Sequence, residues 1–451
     1  MKQVTIFFLP FLALLTNAAQ IIDIIEQPLD HFNGNLKSTI RQRYMTWLSG
    51  SANDSGHVII LYLNGEGPLD PWLYNGTSLI RDPLKASFFL LEHRFYGESL
   101  PNEDTRNNTI LQYLTMAQAI EDTRQFIAAM NSLYKFDKPN WILMGCSYTG
   151  ILAALARAEL SNITTAAYAS SAPVKRVIES PDYDRIVSRV LRGSSEECLQ
   201  AVVTLEKPRY ANTFIGACKI VQKNHSEWIC EDADVLPSFL GQIIQNAGEE
   251  TLKPFCSTLV SAAKTLENMT DLNGADQAIA QYFAGSGVAL GRQWYYQICR
   301  EIGLFQPLGD DIAMYRSTSR QMAKCSRFGM DERQVRRNIL QGANKYEDYY
   351  FPKMNNVFFI NGANDPWQGA GEYRKDFTRN IKSLVIPNGC HCPDLGDDIK
   401  QNEKTADEFV NFVHDSISGE RHCPGSSEDS SVSTIFSFVS TFIVSVVLLV
   451  R

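Results

Sequence analysis

The sequence predicts an α/β fold, in which a mostly parallel sheet is covered by helices on both faces and interrupted by a helical insertion. Short apolar runs rich in β-branched and aromatic residues recur along the chain, with helical periodicity between them. Strands of a parallel sheet show such continuous apolar runs because both of their faces are buried. At 451 residues the chain exceeds the size of one hydrophobic core, so we expect two folding units.

The N-terminus predicts a secretory signal peptide at residues 1–19. Lys2 supplies the positive charge, Val4 to Leu15 form an apolar core too short to cross a bilayer, and Ala18 and Ala19 mark a small-residue cleavage region. Six N-glycosylation sequons follow, which supports a lumenal or extracellular chain whose ten cysteines can form disulfides. The sequon asparagines are Asn53, Asn75, Asn107, Asn162, Asn224 and Asn268.

Residues 20–174 predict the first part of the sheet domain. Apolar residues from Met116 to Leu133 recur every three or four positions and predict a helix, and a second helix is expected to run through 151–160. Strands that alternate with such helices pair in parallel. The predicted strands are 57–63, 86–94, 140–145 and 165–170.

The stretch WILMGCSYTG, residues 141–150, places Ser147 where the third of these strands ends. A tight turn would explain the Gly and Ser residues. The alternative is a nucleophile elbow, the strained strand-to-helix turn of α/β-hydrolases, on which an acid and then a histidine follow the serine along the chain. Of seven histidines, His391 alone follows the last predicted strand in a loop, and Asp365 follows the strand before it. Since active sites of open α/β sheets lie at the carboxyl ends of strands, we expect these three residues to form a catalytic triad there.

Two backbone donors are expected for the oxyanion of a tetrahedral intermediate. One is the N–H of Tyr148, the residue after the serine. The other comes from the loop NGEGP after the first predicted strand, with Gly65 or Glu66 as the candidate. A plain turn explains that loop nearly as well.

Residues 175–345 predict a helical cap insertion stapled by disulfides, since few strand-like runs occur there. The segment holds six of the ten cysteines, Cys198, Cys218, Cys230, Cys256, Cys299 and Cys325. We expect these six to pair mainly with one another, with Cys390 or Cys392 as further partners, although connectivity does not follow from sequence. Cys146 is expected to be a free thiol that points into the core.

Residues 346–420 predict the second part of the sheet domain, with strands at 356–362 and 383–387 and a closing helix at 401–416. Residues 421–451 combine a polar spacer with an apolar tail. The tail, Ile435 to Val450, is shorter than the about 20 residues of a membrane-spanning helix. Small residues before the spacer favour a glycolipid-anchor signal over a membrane-spanning tail. In either case the folded chain lies in the secretory pathway, as a secreted, lysosomal or cell-surface protein.

Charge and motifs argue against two further classes of function. The net charge is −8 and no lysine-rich run occurs, which argues against nucleic-acid binding. No His-Glu-x-x-His motif occurs, so we predict neither a metal nor another cofactor.

Taken in order, these motifs resemble the serine peptidase family of lysosomal Pro-Xaa carboxypeptidase, dipeptidyl-peptidase II and thymus-specific serine protease. The resemblance covers about residues 27–420. It implies Ser147 as nucleophile, Asp365 as orienting acid and His391 as base, with the insertion as a cap that restricts the cleft to chain ends. The motifs are PLDHF (28–32), QRYMTW (42–47), GEGP (65–68), EHRFYGESLP (92–101), GCSYTG (145–150), RQWYYQICREIG (292–303), NGANDPW (361–367) and HCPDL (391–395).

The sequence departs from the family pattern near the expected triad. Cys146 and Thr149 stand where the family usually has glycine, which raises the question of whether Thr149 reshapes the elbow. Cys392 follows the histidine, as in the thymus-type branch, whereas the exopeptidases usually have a second histidine there and an arginine where Gly396 stands. These differences weaken any direct transfer of the exopeptidases' substrate preference.

Selectivity for proline has a simple physical basis, because the pyrrolidine ring fixes φ and removes the amide donor, so an aromatic slot can favour it. Tyr148, Trp294 and Trp367 are candidate walls, with ordinary core packing as the alternative for each. Glu66 is a candidate acid for a substrate's terminal amine. We expect Arg94 and Glu98 to serve in structural pairing rather than in catalysis.

The main hypothesis is a secreted or membrane-tethered serine exopeptidase that cleaves peptides at or near proline through an acyl-enzyme. A catalytically weak binding or adhesion protein on the same fold is the first alternative, and an esterase or lipase is a less favoured one. The sequence does not choose between carboxy-terminal and amino-terminal cleavage. The oligomeric state stays open, with a homodimer as one alternative.

Overall fold

An eight-stranded sheet forms the centre of the computed structural model, which describes residues 22–102, 107–180, 182–205, 207–222, 245, 249–283, 291–306, 318–395 and 403–419. The strand order is β1-β2-β4-β3-β5-β6-β7-β8. β2 pairs antiparallel with both of its neighbours, and every other neighbouring pair is parallel. This arrangement is the α/β-hydrolase fold, so the predicted fold class is confirmed. The strands are β1 (Ile22–Pro28), β2 (Thr39–Trp47), β3 (Val58–Leu63), β4 (Ser87–Leu91), β5 (Asn140–Cys146), β6 (Ala166–Ser170), β7 (Val357–Gly362) and β8 (Ile381–Ile386).

Helices cover both faces of this sheet, and alternate residues of each strand point to opposite sides. Along β3, Ile59 packs in the core beneath α4 and α5, whereas Ile60 packs in the core that contains Phe409 of the last helix. The helices are α1 (Trp72–Gly76), α2 (Ser78–Arg81), α3 (Asn108–Leu111), α4 (Met116–Tyr134), α5 (Tyr148–Glu159), α6 (Tyr183–Ser194), α7 (Glu196–Leu205), α8 (Ala211–Gln222), α9 (Glu249–Asn268), α10 (Ala275–Phe283), α11 (Arg292–Gln297), α12 (Thr318–Ala323), α13 (Glu332–Lys345), α14 (Phe351–Lys353) and α15 (Glu403–Ser418).

The chain leaves the sheet after β6 and returns to it at β7, and the intervening segment packs in two different ways. Helices α6 to α10 surround a separate apolar core that contains Val190, Val202 and Leu259. The later part packs on the sheet domain, where Tyr295 shares a core with Phe95. The insertion is therefore a cap in its first part and an extension of the sheet domain in its second. The domain boundaries at residues 174 and 345 stay predictions.

Disulfides staple the insertion, as predicted. Cys198 of α7 bonds Cys256 of α9, and Cys299 bonds Cys325. Cys218 is also disulfide-bonded. Disulfides form and persist in oxidising compartments, which supports passage through the secretory pathway.

Several predicted surface and terminal features can be compared with the structure only in part. Five of the six sequon asparagines are exposed, and Asn224 lies outside the described residues. The predicted signal peptide at 1–19 and the tail at 421–451 also lie outside them. Among the residues that are described, no helix has both the length and the apolar character needed to cross a membrane.

Candidate active site

Ser147 lies between the end of β5 and the start of α5, in a conformation that is rare for a serine. Its φ is 58° and its ψ is −125°. The turn is tight on both sides, because a Cβ on Gly145 would overlap the carbonyl oxygen of Thr149, and a Cβ on Gly150 would lie 2.7 Å from the carbonyl oxygen of Ser170. Strain of this kind persists only where the surrounding structure enforces it. The geometry is that of a nucleophile elbow rather than of an ordinary turn.

Thr149, one departure from the family pattern, stabilises this turn through hydrogen bonds to the backbone of Cys146. Its hydroxyl donates to the carbonyl oxygen of Cys146 at 3.0 Å and accepts the N–H of Cys146 at 3.3 Å. Its side chain is buried at the start of α5. The threonine therefore holds the turn together where glycine would leave the same space empty.

His391 and Asp365 meet at the same edge of the sheet. Nδ1 of His391 donates to Oδ2 of Asp365 at 2.9 Å. Both residues are buried, and Oδ1 of Asp365 accepts the N–H of Trp367 at 2.9 Å. A carboxylate bonded to Nδ1 fixes the imidazole orientation and leaves Nε2 able to accept a proton. This pair has the chemistry of a general base and its orienting acid.

A disulfide brings the elbow and the histidine loop together. Cys146, directly before Ser147, bonds Cys392, directly after His391. Both sulfurs and a ring nitrogen of His391 lie within 4.8 Å of one another. The prediction of a free Cys146 thiol is wrong, because this position at the carboxyl end of β5 faces the loop after β8 rather than the core. The sulfurs are bonded to each other, so the group is not a ready set of metal ligands.

The loop after β3, which contains Gly65 and Glu66, is braced beside this site. The side-chain amide of Asn64 donates to the carbonyl oxygens of Gly67 and Pro68, each at 3.0 Å. The N–H of Tyr148, directly after Ser147, occupies the first position of α5, where no helical carbonyl precedes it.

Glu66 is the titratable group in this loop. Its side chain keeps an exposed surface, yet desolvation by the surrounding protein raises its pKa to about 7. Its own backbone N–H and the charge of nearby His391 partly oppose that rise. At neutral pH a carboxyl group within electrostatic reach of His391 is therefore divided between its charged and neutral forms.

A buried aromatic and polar cluster supports the elbow from below. The hydroxyl of Tyr148 lies 3.0 Å from Nε2 of His93, and its ring packs edge-to-face on Trp294 with centroids 5.7 Å apart. Tyr96 donates to Oε1 of Gln297 at 2.5 Å. Burial lowers the pKa of His93 to about 4, so the ring is neutral at physiological pH. Our sequence reasoning missed His93, Tyr96 and Gln297 as supporting residues, although all three lie within motifs that carry the family resemblance.

The insertion reaches the site through Gln245, which sequence reasoning also missed. Its backbone carbonyl accepts the N–H of His391 at 2.7 Å, and its Oε1 accepts Nε1 of Trp367 at 2.8 Å. Trp367 also packs on Tyr183 of α6, with centroids 4.8 Å apart. Trp367 is thus an interface residue between sheet domain and cap, half-buried at the edge of the site.

Asp394 anchors the far end of the histidine loop. Its two carboxylate oxygens accept the hydroxyls of Ser170 and Tyr168, each at 2.5 Å. Burial raises the pKa of Asp394, and the two hydroxyls partly oppose this rise. Asp394 lies within the motif HCPDL, but its anchoring role could not be predicted locally, because its partners come from β6, more than 200 residues earlier.

Comparisons with known proteins show the family of this chain. A family model described as serine carboxypeptidase S28 matches residues 27–206 and 217–407. Thymus-specific serine protease of Mus musculus is 28% identical over 423 residues, which cover 82% of this chain and 82% of that protein. Lysosomal Pro-X carboxypeptidase of Bos taurus is 27% identical over 419 residues, which cover 83% of this chain and 82% of that protein. Among solved structures, proline iminopeptidase from Mycobacterium smegmatis aligns with a TM-score of 0.39 at 11% identity, over 88% of this chain and 99% of that one.

The two matched segments of the family model include the elbow, the loop of Asp365 and the loop of His391. They span most of the sheet domain and most of the insertion. The protein is therefore a serine-type peptidase, and the chain belongs to the serine carboxypeptidase S28 family.

Proposed function

We propose that this protein is a serine exopeptidase of the secretory pathway in which Ser147 is the nucleophile, His391 the general base and Asp365 the residue that orients it. The observation that carries the proposal is the Asp365–His391 hydrogen bond, formed at the edge of the sheet where the strained Ser147 elbow lies. A serine needs such a base, and the base needs such a partner, because the hydroxyl is a poor nucleophile at its own pKa.

In the proposed mechanism, Oγ of Ser147 attacks the scissile carbonyl carbon while Nε2 of His391 takes its proton. The N–H of Tyr148 and an N–H of Gly65 or Glu66 stabilise the resulting oxyanion. The imidazolium, stabilised by Asp365, then protonates the leaving amine and an acyl-enzyme remains. Water, activated by the same imidazole, hydrolyses this ester and restores Ser147.

The proposed substrates are peptides with proline at or near the cleaved bond. Trp294 and Trp367 are half-buried aromatic residues near the site, and a flat slot between such rings suits a pyrrolidine, which has no amide donor. The name of the relative lysosomal Pro-X carboxypeptidase points in the same direction. Contact of the cap with Trp367 and His391 through Gln245 supports a covered cleft that admits chain ends.

For location, we propose an extracellular or lumenal protein that is secreted, lysosomal or held at the cell surface by a glycolipid anchor. Disulfides in both domains and exposed sequon asparagines support this. Release of the protein from cells by a phosphatidylinositol-specific phospholipase would separate the anchored form from the other two.

The test is covalent labelling with a fluorophosphonate and turnover of proline peptides by wild type and by Ser147→Ala. We expect labelling at Ser147, and a loss of at least about 10³-fold in kcat for the alanine variant. Wild type that is folded but neither labels nor cleaves would favour a binding protein, and cleavage of acyl esters alone would favour an esterase. Undiminished turnover by folded Ser147→Ala would contradict the proposed nucleophile.

A further inference from the structure

The Cys146–Cys392 disulfide joins the two halves of the proposed catalytic machinery. One cysteine precedes Ser147 and the other follows His391, although they lie 246 residues apart in sequence. The sulfurs lie within 4.8 Å of a ring nitrogen of His391. Ser147 and Cys392 both have a positive φ, 58° and 50°, which side-chain-bearing residues rarely adopt. The bond therefore fastens two locally strained backbone segments to each other.

We propose that this disulfide is a positioning element that sets the distance between His391 and Ser147, and that its reduction by a dithiol lowers turnover. The inference rests on the proposed roles of Ser147 and His391. The hydrogen bonds of His391 run to Asp365 and to Gln245, on the loop after β7 and on the insertion. The bond to Asp365 orients the ring and the bond to Gln245 holds the backbone of His391, whereas the disulfide ties the histidine loop to the elbow itself.

Other contacts hold the loop when this bond is broken. The N–H of Cys392 donates to Oγ of Ser171 at 2.8 Å, and Asp394 accepts the hydroxyls of Ser170 and Tyr168. Loss of the disulfide should therefore let His391 shift locally while the fold persists. A displacement of about 1 Å in a catalytic group can cost on the order of 10²-fold in rate.

The bond is open to a dithiol, since both cysteines are only half-buried. A thiolate of the dithiol attacks one sulfur, the S–S bond breaks and a mixed disulfide forms. The second thiol of the dithiol then displaces the protein sulfur. The net reaction yields two protein thiols and a cyclic disulfide of the reagent, with two electrons and two protons transferred from the dithiol to the protein.

The first experiment compares Cys146→Ala/Cys392→Ala with the matched control Cys198→Ala/Cys256→Ala, which removes the cap disulfide between α7 and α9. We expect kcat on a proline peptide to fall about 10- to 100-fold in the first variant, with KM changed less than about threefold. Fluorophosphonate labelling of Ser147 should slow by a similar factor. The control variant should keep kcat within about threefold of wild type while its melting temperature falls.

The second experiment uses wild type, so that it does not depend on whether a variant folds. Dithiothreitol is added under native conditions, and newly formed thiols are alkylated and located by mass spectrometry. We expect kcat to fall in step with alkylation at Cys146 and Cys392, and to recover when unalkylated protein is reoxidised. Dithiothreitol at the same concentration should not lower kcat further in the Cys146→Ala/Cys392→Ala variant.

The outcomes separate this inference from the proposed function. A folded Cys146→Ala/Cys392→Ala variant with kcat within twofold of wild type would overturn the positioning role. In that case, loss of activity in Ser147→Ala would still support the proposed catalytic triad. If Ser147→Ala were fully active, the proposed function would fail whatever the cysteines do. Wild type whose Cys146 and Cys392 are alkylated without any loss of kcat would also overturn the inference.

Discussion

At the scale of single residues, Glu66 is a carboxyl group whose charge changes in the physiological range. Desolvation raises its pKa to about 7, so its carboxyl is mostly ionised at pH 8 and mostly neutral at pH 6. A substrate's terminal ammonium would be attracted by the ionised form, and a terminal carboxylate would be repelled by it. The pH dependence of KM can therefore reveal which chain end lies near Glu66.

If Glu66 binds a free amine, KM for peptides with a free amino end and a blocked carboxyl end should rise about fivefold from pH 8 to pH 6, since a partly exposed ion pair contributes about 1 kcal/mol. Glu66→Gln should have, at both pH 8 and pH 6, the raised KM that wild type has at pH 6. Glu332→Gln, an exposed change on the insertion, serves as the control and should follow wild type. A KM for such peptides that Glu66→Gln leaves unchanged at pH 8 would exclude this role.

Cys146 shows what could not be predicted at this scale. Its position before the elbow serine was clear from sequence, but its partner depends on where the loop after β8 lies relative to the end of β5. That relation is set by the order of strands in the sheet, over a separation of 246 residues. Local pattern carries no information on it, so a buried free thiol was a natural but wrong expectation.

At the scale of elements, the strands buried on both faces could be predicted, whereas β1 and β2 could not. β3 and β7 have every residue buried, and their apolar runs are visible in the sequence. β1 and β2 were missed, because they mix charged and apolar residues and several positions are exposed or half-exposed. Periodicity also placed α4 within one residue of its observed end. The candidate triad residues could be predicted because they follow the ends of these strands. The roles of Gln245 and Asp394 could not, because they depend on hydrogen bonds to residues far away in the sequence.

The elbow connecting β5 to α5 depends on glycine at Gly145. Gly145→Ala would place a Cβ against the backbone carbonyl of Thr149, which cannot move without opening the turn. We expect a loss of about 1–3 kcal/mol in the free energy of unfolding, as for other overpacked sites, and at least tenfold slower fluorophosphonate labelling. Thermal unfolding and labelling kinetics measure the two effects.

The matched control is Gly50→Ala, on an exposed loop where a Cβ meets no atom within 4 Å. It should leave both the melting temperature and the labelling rate close to those of wild type. If Gly145→Ala behaved like this control, the tight approach of α5 to β5 would not be a requirement of the elbow.

At the scale of the whole molecule, the buried ion pair of Arg94 and Asp122 ties distant parts of the sheet domain together. The guanidinium donates twice to Asp122 of α4, each bond 2.6 Å long, and also to the carbonyl oxygens of Leu29 and Tyr113. His31 lies 2.7 Å from the same carboxylate. Arg94 and Glu98 were both expected to form structural ion pairs. Arg94 pairs with Asp122, and Glu98 pairs with Arg43 at 3.0 Å.

Burial alone would raise the pKa of Asp122, but the charge and hydrogen bonds of Arg94, with a contribution from His31, hold it below its usual value. A carboxyl with a lowered pKa stabilises the folded state fully above its unfolded pKa, about 3.8, and loses that contribution as pH falls through its folded pKa. The ion pair is therefore expected to contribute undiminished from pH 5 to pH 8 and to weaken only in strong acid.

Asp122→Asn leaves the Arg94 charge buried without its counter-charge, so we expect it to lower the free energy of unfolding by about 3–5 kcal/mol at pH 7. The difference from wild type should persist at neutral pH and shrink below about pH 4. Urea unfolding at several pH values measures it. Glu98→Gln is the control, because that side chain is 77% exposed and Arg43 keeps Glu92, so its effect should stay below about 0.5 kcal/mol. Equal stability of both variants at pH 7 would mean that the pair aligns these segments without contributing net stability.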